Sequence, residues 1–356
     1  MNASHTAIGM ALLSALLFGA STPAAKALLN GIEPLMLAAL LYLGSGLGLT
    51  AFSFVNRFLS AHRREAQEAH LKRVDLKWLG GAILFGGVFG PILLLIGLKS
   101  VSGSTASLLL NLEAVLTALL AWFAFHENVD RRVAIGMLSI VLGGTILCSG
   151  QGPVLKLEYS PGSLFIVLAC ACWAIDNNLT RKIADADPIQ IAAIKGIAAG
   201  SCNLLLAFAS GINLPTMPSL LYAPIVGLLG YGVSLSLFIR ALRDLGTART
   251  SAYFSVAPFV GAALSMLFLH EPLSLQLILS GLLMAAGVWL HMSEEHVHEH
   301  AHEPLEHEHM HVHDEHHQHD HDSSIDPKEP HSHMHQHEGT IHSHSHFPDM
   351  HHMHHH

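Results

Sequence analysis

Charge is what this chain is short of. Asp, Glu, Lys and Arg make up 13% of its 356 residues, while 51% are hydrophobic; soluble domains carry about 25% charged residues. Lipid is therefore read as the main solvent. Basic residues are almost absent from one region, Met292 to His356, where Lys328 stands alone against fourteen Asp or Glu. That region has a net charge of −13, the body carries +4, and the overall −9 describes the tail alone. Cysteine is scarce: Cys148, Cys170, Cys172 and Cys202 all lie in apolar stretches and none has CxxC spacing. A zinc knuckle, a redox pair and a disulfide framework are not signalled, and in such stretches cysteine is usually a small hydrophobe. A GxxxxGK[ST] phosphate loop is missing, which argues against ATP-driven transport. So are a nucleophile elbow and HExxH, which leaves an enzyme little support. Met1 to Thr6 lacks the Lys or Arg of a signal peptide. The apolar run Ile8 to Gly19 is therefore read as the start of a membrane helix, although Ala25-Lys26-Ala27 loosely imitates a cleavage site.

What is present is apolar length. A membrane-crossing helix needs about 20 mainly apolar residues, because about 30 Å of hydrocarbon is covered at about 1.5 Å per residue. Ten windows qualify: 6–28, 33–55, 77–98, 103–125, 132–149, 162–183, 188–209, 218–240, 247–269 and 273–292. A soluble bundle would show polar faces on most helices, and Ser107 to Phe125 has almost none. One connection is long and basic, 56–77, with Arg57, Arg63, Arg64, Lys72, Arg73 and Lys77. Other basic groups are Arg131–Arg132, Arg181–Lys182 and Arg240, Arg243 and Arg249, whereas the loops between them hold Lys99, Lys156 or nothing basic. Every basic cluster falls on one side if the N-terminus starts in the cytoplasm, as the positive-inside rule requires. Ten spans return the C-terminus to that side. A multi-pass protein of the bacterial inner membrane with both termini cytoplasmic is expected.

The sequence also repeats itself. SLLLNLEAVLTALLAWFAFHENV (Ser107–Val129) aligns without gaps to SAYFSVAPFVGAALSMLFLHEPL (Ser251–Leu273) at an offset of 144, with His126–Glu127 on His270–Glu271 and, upstream, Lys99 on Arg243. The first window pairs with the sixth at an offset of 155, placing Phe18-Gly19 on Trp173-Ala174 and Lys26 on Arg181. Two units, 1–150 and 151–292, are expected to precede a tail over 293–356. Each unit has five spans, an odd number, so the two must sit upside down relative to each other. Many secondary transporters use inverted repeats to hold a site near the midplane and expose it alternately to either side; duplication merely to enlarge a bundle is the blander alternative.

These segments resemble a known family. NLEAVLTALLAWFAFHENV with RRVAIGMLSIVLGGTIL, and APFVGAALSMLFLHEPL with LILSGLLMAAGVWL, are similar to the paired EamA domains of the drug/metabolite transporter superfamily. LLFGASTPAAKALL and WAIDNNLTRKI, which open the two halves, fit as well, so the resemblance covers about residues 6 to 292. It implies ten helices, inward-facing termini, a small organic solute as partner, and transport without ATP. Ala114 departs from the pattern where the second half has Pro258, so a different local kink is expected there.

Charge inside a span costs about 2.5–3.5 kcal/mol at the bilayer centre, so it normally faces a cavity or a partner. Glu113, Asp176 and Lys195 lie within spans, Asp176 is followed by Asn177 and Asn178, and Thr180 shares its helical face. Glu113, Asp176, Asn177 and Lys195 are the candidate lining of a substrate or coupling cavity, where a desolvated carboxylate can exchange protons. The competing reading is a buried ion pair, Lys195 with Asp176 or Glu113, that only holds helices together. Lys26 is near enough to the interface to snorkel. His126 and His270, at helix ends beside Glu127 and Glu271, are read as capping or interfacial.

Residues 291 to 356 hold 25 of the 30 histidines, mostly as H-x-H. That composition cannot bury a core, and a tail disordered without metal is expected. Imidazoles interleaved with carboxylates suit Zn(II), Ni(II), Co(II) or Cu(II). The candidate ligands are His296, His298, His300, His302, His307, His309, His311, His313, His316, His317, His319, His321, His331, His333, His335 and His337. A solvated tail that titrates near pH 6.5 is the alternative. No histidine lies mid-membrane, so an organic-solute carrier with a metal-binding tail is favoured over an exporter of a metal ion or metal–chelate, and over a membrane-anchored metal buffer that transports nothing. No cofactor is required and no nucleic-acid partner is expected; the lipid bilayer is a partner throughout, and a homodimer is compatible.

Overall fold

The computed structural model describes residues 3–59, 72–125, 131–149, 160–183, 187–245 and 247–292 of the body, and 296–301, 306–311, 331–336 and 341–346 of the tail. The body is helical: α1 (Ala3–Leu28), α2 (Pro34–Leu59), α3 (Leu76–Ala82), α4 (Gly90–Ser100), α5 (Gly103–Leu109), α6 (Leu112–Phe125), α7 (Arg131–Cys148), α8 (Pro161–Arg181), α9 (Pro188–Ala209), α10 (Met217–Gly227), α11 (Ser234–Leu245), α12 (Thr247–Phe254), α13 (Ala257–Phe268) and α14 (Leu275–Met292). Short π segments, Ile83–Phe89 and Leu228–Val233, join α3 to α4 and α10 to α11 without a break. Among the described residues nine stretches are long and apolar enough to cross a membrane, and a tenth apolar stretch, Leu275–Leu290, is shorter. This is an integral membrane protein.

Local chemistry sets the helix ends. Pro188 opens α9 behind Asp187, whose Oδ1 accepts the Ile189 and Gln190 amides at 2.8 and 3.2 Å; a carboxylate there satisfies amides that have no partner within the helix. Gly211 closes the same helix at φ +75°, with Gly211 N–H on Phe208 O and Ile212 N–H on Ala207 O, a left-handed cap that glycine adopts without steric cost.

Small residues govern the packing. A Cβ on Gly46 of α2 would strike the Gly196–Ile197 backbone of α9, and one on Gly287 of α14 would strike Gly136 and Ile140 of α7. The helix pairs α2–α9 and α7–α14 are correspondingly close. α1 packs on α11, α13 and the second π segment, while α8 packs on α4, α6 and the first. Ser14 and Ser234 bond reciprocally to each other's carbonyl across α1 and α11, at 2.7 and 2.9 Å. Large apolar side chains such as Phe54, Leu205, Met217 and Leu275 are about 70% exposed, the surface expected against lipid.

The fourth and ninth windows are each broken, at Leu110–Asn111 and at Ser255–Val256; Pro258 follows the second break, whereas the first has no proline and Asn111 Nδ2 donates to Leu108 O at 2.9 Å. In the tail the described segments form four strands, β1 (His296–Ala301), β2 (Glu306–His311), β3 (His331–Gln336) and β4 (Ile341–His346), paired antiparallel as β1–β4 and β2–β3. The H-x-H pattern has the two-residue period of a strand, and the register sets histidine opposite histidine, as in His298–His344 and His309–His333.

Candidate functional site

The π segment of residues 83–89 organises the site. A π turn disturbs the regular carbonyl-to-amide ladder, and a carbonyl so freed needs a partner because the bilayer core supplies no water. Gly86 O accepts from Tyr42 Oη of α2 at 2.7 Å and from Trp173 Nε1 of α8 at 3.0 Å. Gly87 O accepts from Asn203 Nδ2 of α9 at 3.0 Å. Three neighbouring helices are thereby fixed to one stretch of backbone.

Asp176 of α8 lies directly over Gly86, so close that a Cβ there would occupy the carboxylate. The carboxylate is buried and pairs with Lys195 of α9, whose Nζ is 2.5 Å from Oδ1 and 2.8 Å from Oδ2. Thr180 Oγ1 donates to Oδ1 at 2.9 Å from one turn further along α8. The next residue, Asn177, is exposed, and its Nδ2 donates to Glu113 Oε1 at 2.9 Å and to Thr117 Oγ1 at 3.2 Å. Asn178 Nδ2 ties Thr117 O to Ala174 O at 3.2 and 2.9 Å. Glu113, Asp176, Asn177 and Lys195 therefore form one cluster, the ion pair buried on one side and Glu113–Asn177 on the open side. Its formal charge is −1, because Lys195 balances only one carboxylate. Tyr42 and Asn203 escape sequence reasoning; the only signal was a lone polar side chain in an apolar helix, together with the Gly86–Gly87 pair.

A second polar group sits near the C-terminal end of α1. Lys26 does not simply snorkel: its Nζ donates to the carbonyls of Leu98 at 2.5 Å, Val101 at 2.9 Å and Lys99 at 3.4 Å. On the far side of the same turn, Glu271 accepts the amides of Gly103 at 2.6 Å and Ser104 at 2.8 Å. His270 precedes it at φ +53°. His126 and Glu127 lie outside the described residues.

Of the tail candidates, His302, His313, His316, His317, His319, His321 and His337 also lie outside the described residues; the backbones of the others are on β1, β2 and β3. Among the described residues no group of three or more His, Cys, Asp or Glu is placed to hold a metal ion.

Known proteins resemble this chain. A Methanothermobacter thermautotrophicus protein named "Uncharacterized transporter" is 29% identical over 284 residues, 77% of this chain and 82% of that one. A Salmonella typhimurium protein named "Probable amino-acid metabolite efflux pump" is 27% identical over 203 residues, 52% of this chain and 66% of its own. One crystal structure superposes with a TM-score of 0.57 at 19% identity, covering 80% of this chain and 96% of its own, and so shares the fold. The model of the EamA-like transporter family matches residues 5–149 and 160–293. The chain is a membrane transporter and belongs to the EamA-like transporter family.

Proposed function

We propose that the protein exports a small organic solute by alternating access, without ATP, through the site built on Glu113, Asp176, Asn177 and Lys195. The observation that carries this reading is the gathering of four polar residues from three helices, α6, α8 and α9, beside one π segment inside the membrane. The packing supports ten spans in two inverted units. Several interfaces recur when the offsets of 144 and 155 are applied to their residues. The π segments match at the offset of 144, Gly86 on Gly230. Gly86 faces Asp176, and Gly230 faces Ser21, the residue 155 before Asp176. The α1–α13 interface answers to α8–α6 in the same way, and α1–α11 to α8–α4. The basic loops favour cytoplasmic termini in a bacterial inner membrane. Export is favoured by the efflux name of the Salmonella relative. Bound metal in the tail is favoured by its ligand density.

Uptake into proteoliposomes, screened over amino acids, organic acids and metal ions, tests the proposal. Asp176→Asn and Glu113→Gln are each expected to reduce solute flux at least about tenfold while the protein remains in the membrane. Removing one partner of a buried pair leaves the other charge uncompensated, at a cost on the order of 3 kcal/mol. An Asp176→Asn/Lys195→Met double variant separates the two readings of that pair. If the pair only held helices together, the double variant would restore flux; if it couples transport, flux stays low.

A further inference from the structure

We infer that Lys26 and Glu271 form a latch that closes the extracytoplasmic end of the carrier by gripping the turn between α4 and α5. The inference rests on the alternating-access reading above. The last carbonyls of a helix and the first amides of the next lack partners within their helices. Here both sets are taken up by charged side chains from outside the turn. Lys26, on α1, holds the carbonyls of Leu98, Lys99 and Val101 at the end of α4. Glu271, between α13 and α14, holds the amides of Gly103 and Ser104 at the start of α5. A cation thus faces the negative end of one helix and a carboxylate the positive end of the other, the favourable sense for both dipoles.

Three features fit a device that opens rather than a permanent weld. The charged groups bond backbone atoms, so release needs only a small movement of one turn and leaves the fold of each helix intact. Glu271 is aimed by His270, which holds a left-handed backbone that a non-glycine residue adopts at some cost. The latch joins the two units, since Glu271 belongs to the second and both Lys26 and the turn to the first. The sequence repeat then places Arg181 at the counterpart of Lys26, Glu127 at that of Glu271, and residues 242–248 at that of 98–104.

Accessibility of the site reads the latch directly. Asn177→Cys places a thiol at an exposed position of the cluster; the four native cysteines stay in place and the parent protein supplies the background. A membrane-impermeant maleimide is applied from the external face in right-side-out vesicles and from the cytoplasmic face in inside-out vesicles. Lys26→Met and Glu271→Gln should each raise external labelling at least about tenfold, and Lys26→Arg, which keeps the donors, should leave it near the unmodified level. Loss of membrane insertion in Lys26→Met would show as loss of the protein band, and Lys26→Arg and Glu271→Gln would still report. External labelling unchanged in both neutral variants, with labelling from the cytoplasmic face present, overturns the latch and leaves alternating access standing. Labelling from neither face in any variant overturns both. High external labelling before any substitution overturns the latch alone.

Discussion

Gly86 has a hydrogen where any side chain would intrude on Asp176. A Cβ there would lie 2.7 Å from the Cβ of Asp176 and closer still to its carboxylate. Gly86→Ala is therefore expected to push Asp176 off Lys195 and to lower solute flux at least about tenfold, the loss also expected of Asp176→Asn. Gly80, in α3 of the same span, has nothing within 4 Å of its Cβ position. Gly80→Ala should leave flux unchanged and raise stability slightly, by up to about 0.5–1 kcal/mol, because glycine is the poorer helix residue. Flux and thermal melting of the two variants check this, and equal flux would remove the Gly86–Asp176 contact from the mechanism. The charged members of the site were legible in the sequence because charge within an apolar span needs a reason. Tyr42, Trp173 and Asn203 were not: they bond the Gly86 and Gly87 carbonyls, and nothing in residue type marks where a ladder shifts to π.

Apolar windows are legible because burying backbone in lipid demands length and hydrophobicity together; among the described residues nine of them hold helices long enough to cross a membrane, and the last holds the shorter Leu275–Leu290. What stayed hidden is how they interrupt and touch. The breaks at Leu110–Asn111 and Ser255–Val256 have different chemistry in the two halves. The contact of α2 with α9 depends on glycines that read as unremarkable in an apolar stretch. Gly46 approaches the Gly196–Ile197 backbone so closely that no side chain fits. Gly46→Val is expected to part the helices and to destabilise the carrier by about 1–3 kcal/mol, the usual range for overpacking. Gly9→Val, at a position with nothing within 4 Å, should melt near the parent temperature. Detergent-solubilised melting curves distinguish them, and coincident curves would mean that α2 and α9 are not held by this contact.

At the scale of the whole molecule, two bodies of opposite character share one chain: an apolar carrier with a charge of +4 and a tail with −13 and 25 histidines. The intramembrane cluster offers an ion only carboxylate, amide and hydroxyl oxygens, and Lys195 already occupies the better-buried carboxylate. Metal as cargo is therefore poorly provided for in the body, and the imidazoles proposed to bind metal lie in the tail. Truncation after Met292 removes all but one of the tail histidines and leaves every body helix. The truncated carrier should still move its organic solute, and Zn(II) or Ni(II) should no longer alter the rate. The full-length protein should bind several metal ions, with binding weakening as pH falls below about 6.5, because protons compete for the imidazole nitrogens that must be neutral to ligate. If the tail instead loads metal into the pore, vesicles with the full-length protein accumulate metal and truncation abolishes that flux. Metal flux that requires the tail would replace the organic-solute reading with metal export. A full-length protein that binds no more metal than the truncated one would remove the tail from either account, leaving its histidines to act as a titrating, solvated surface.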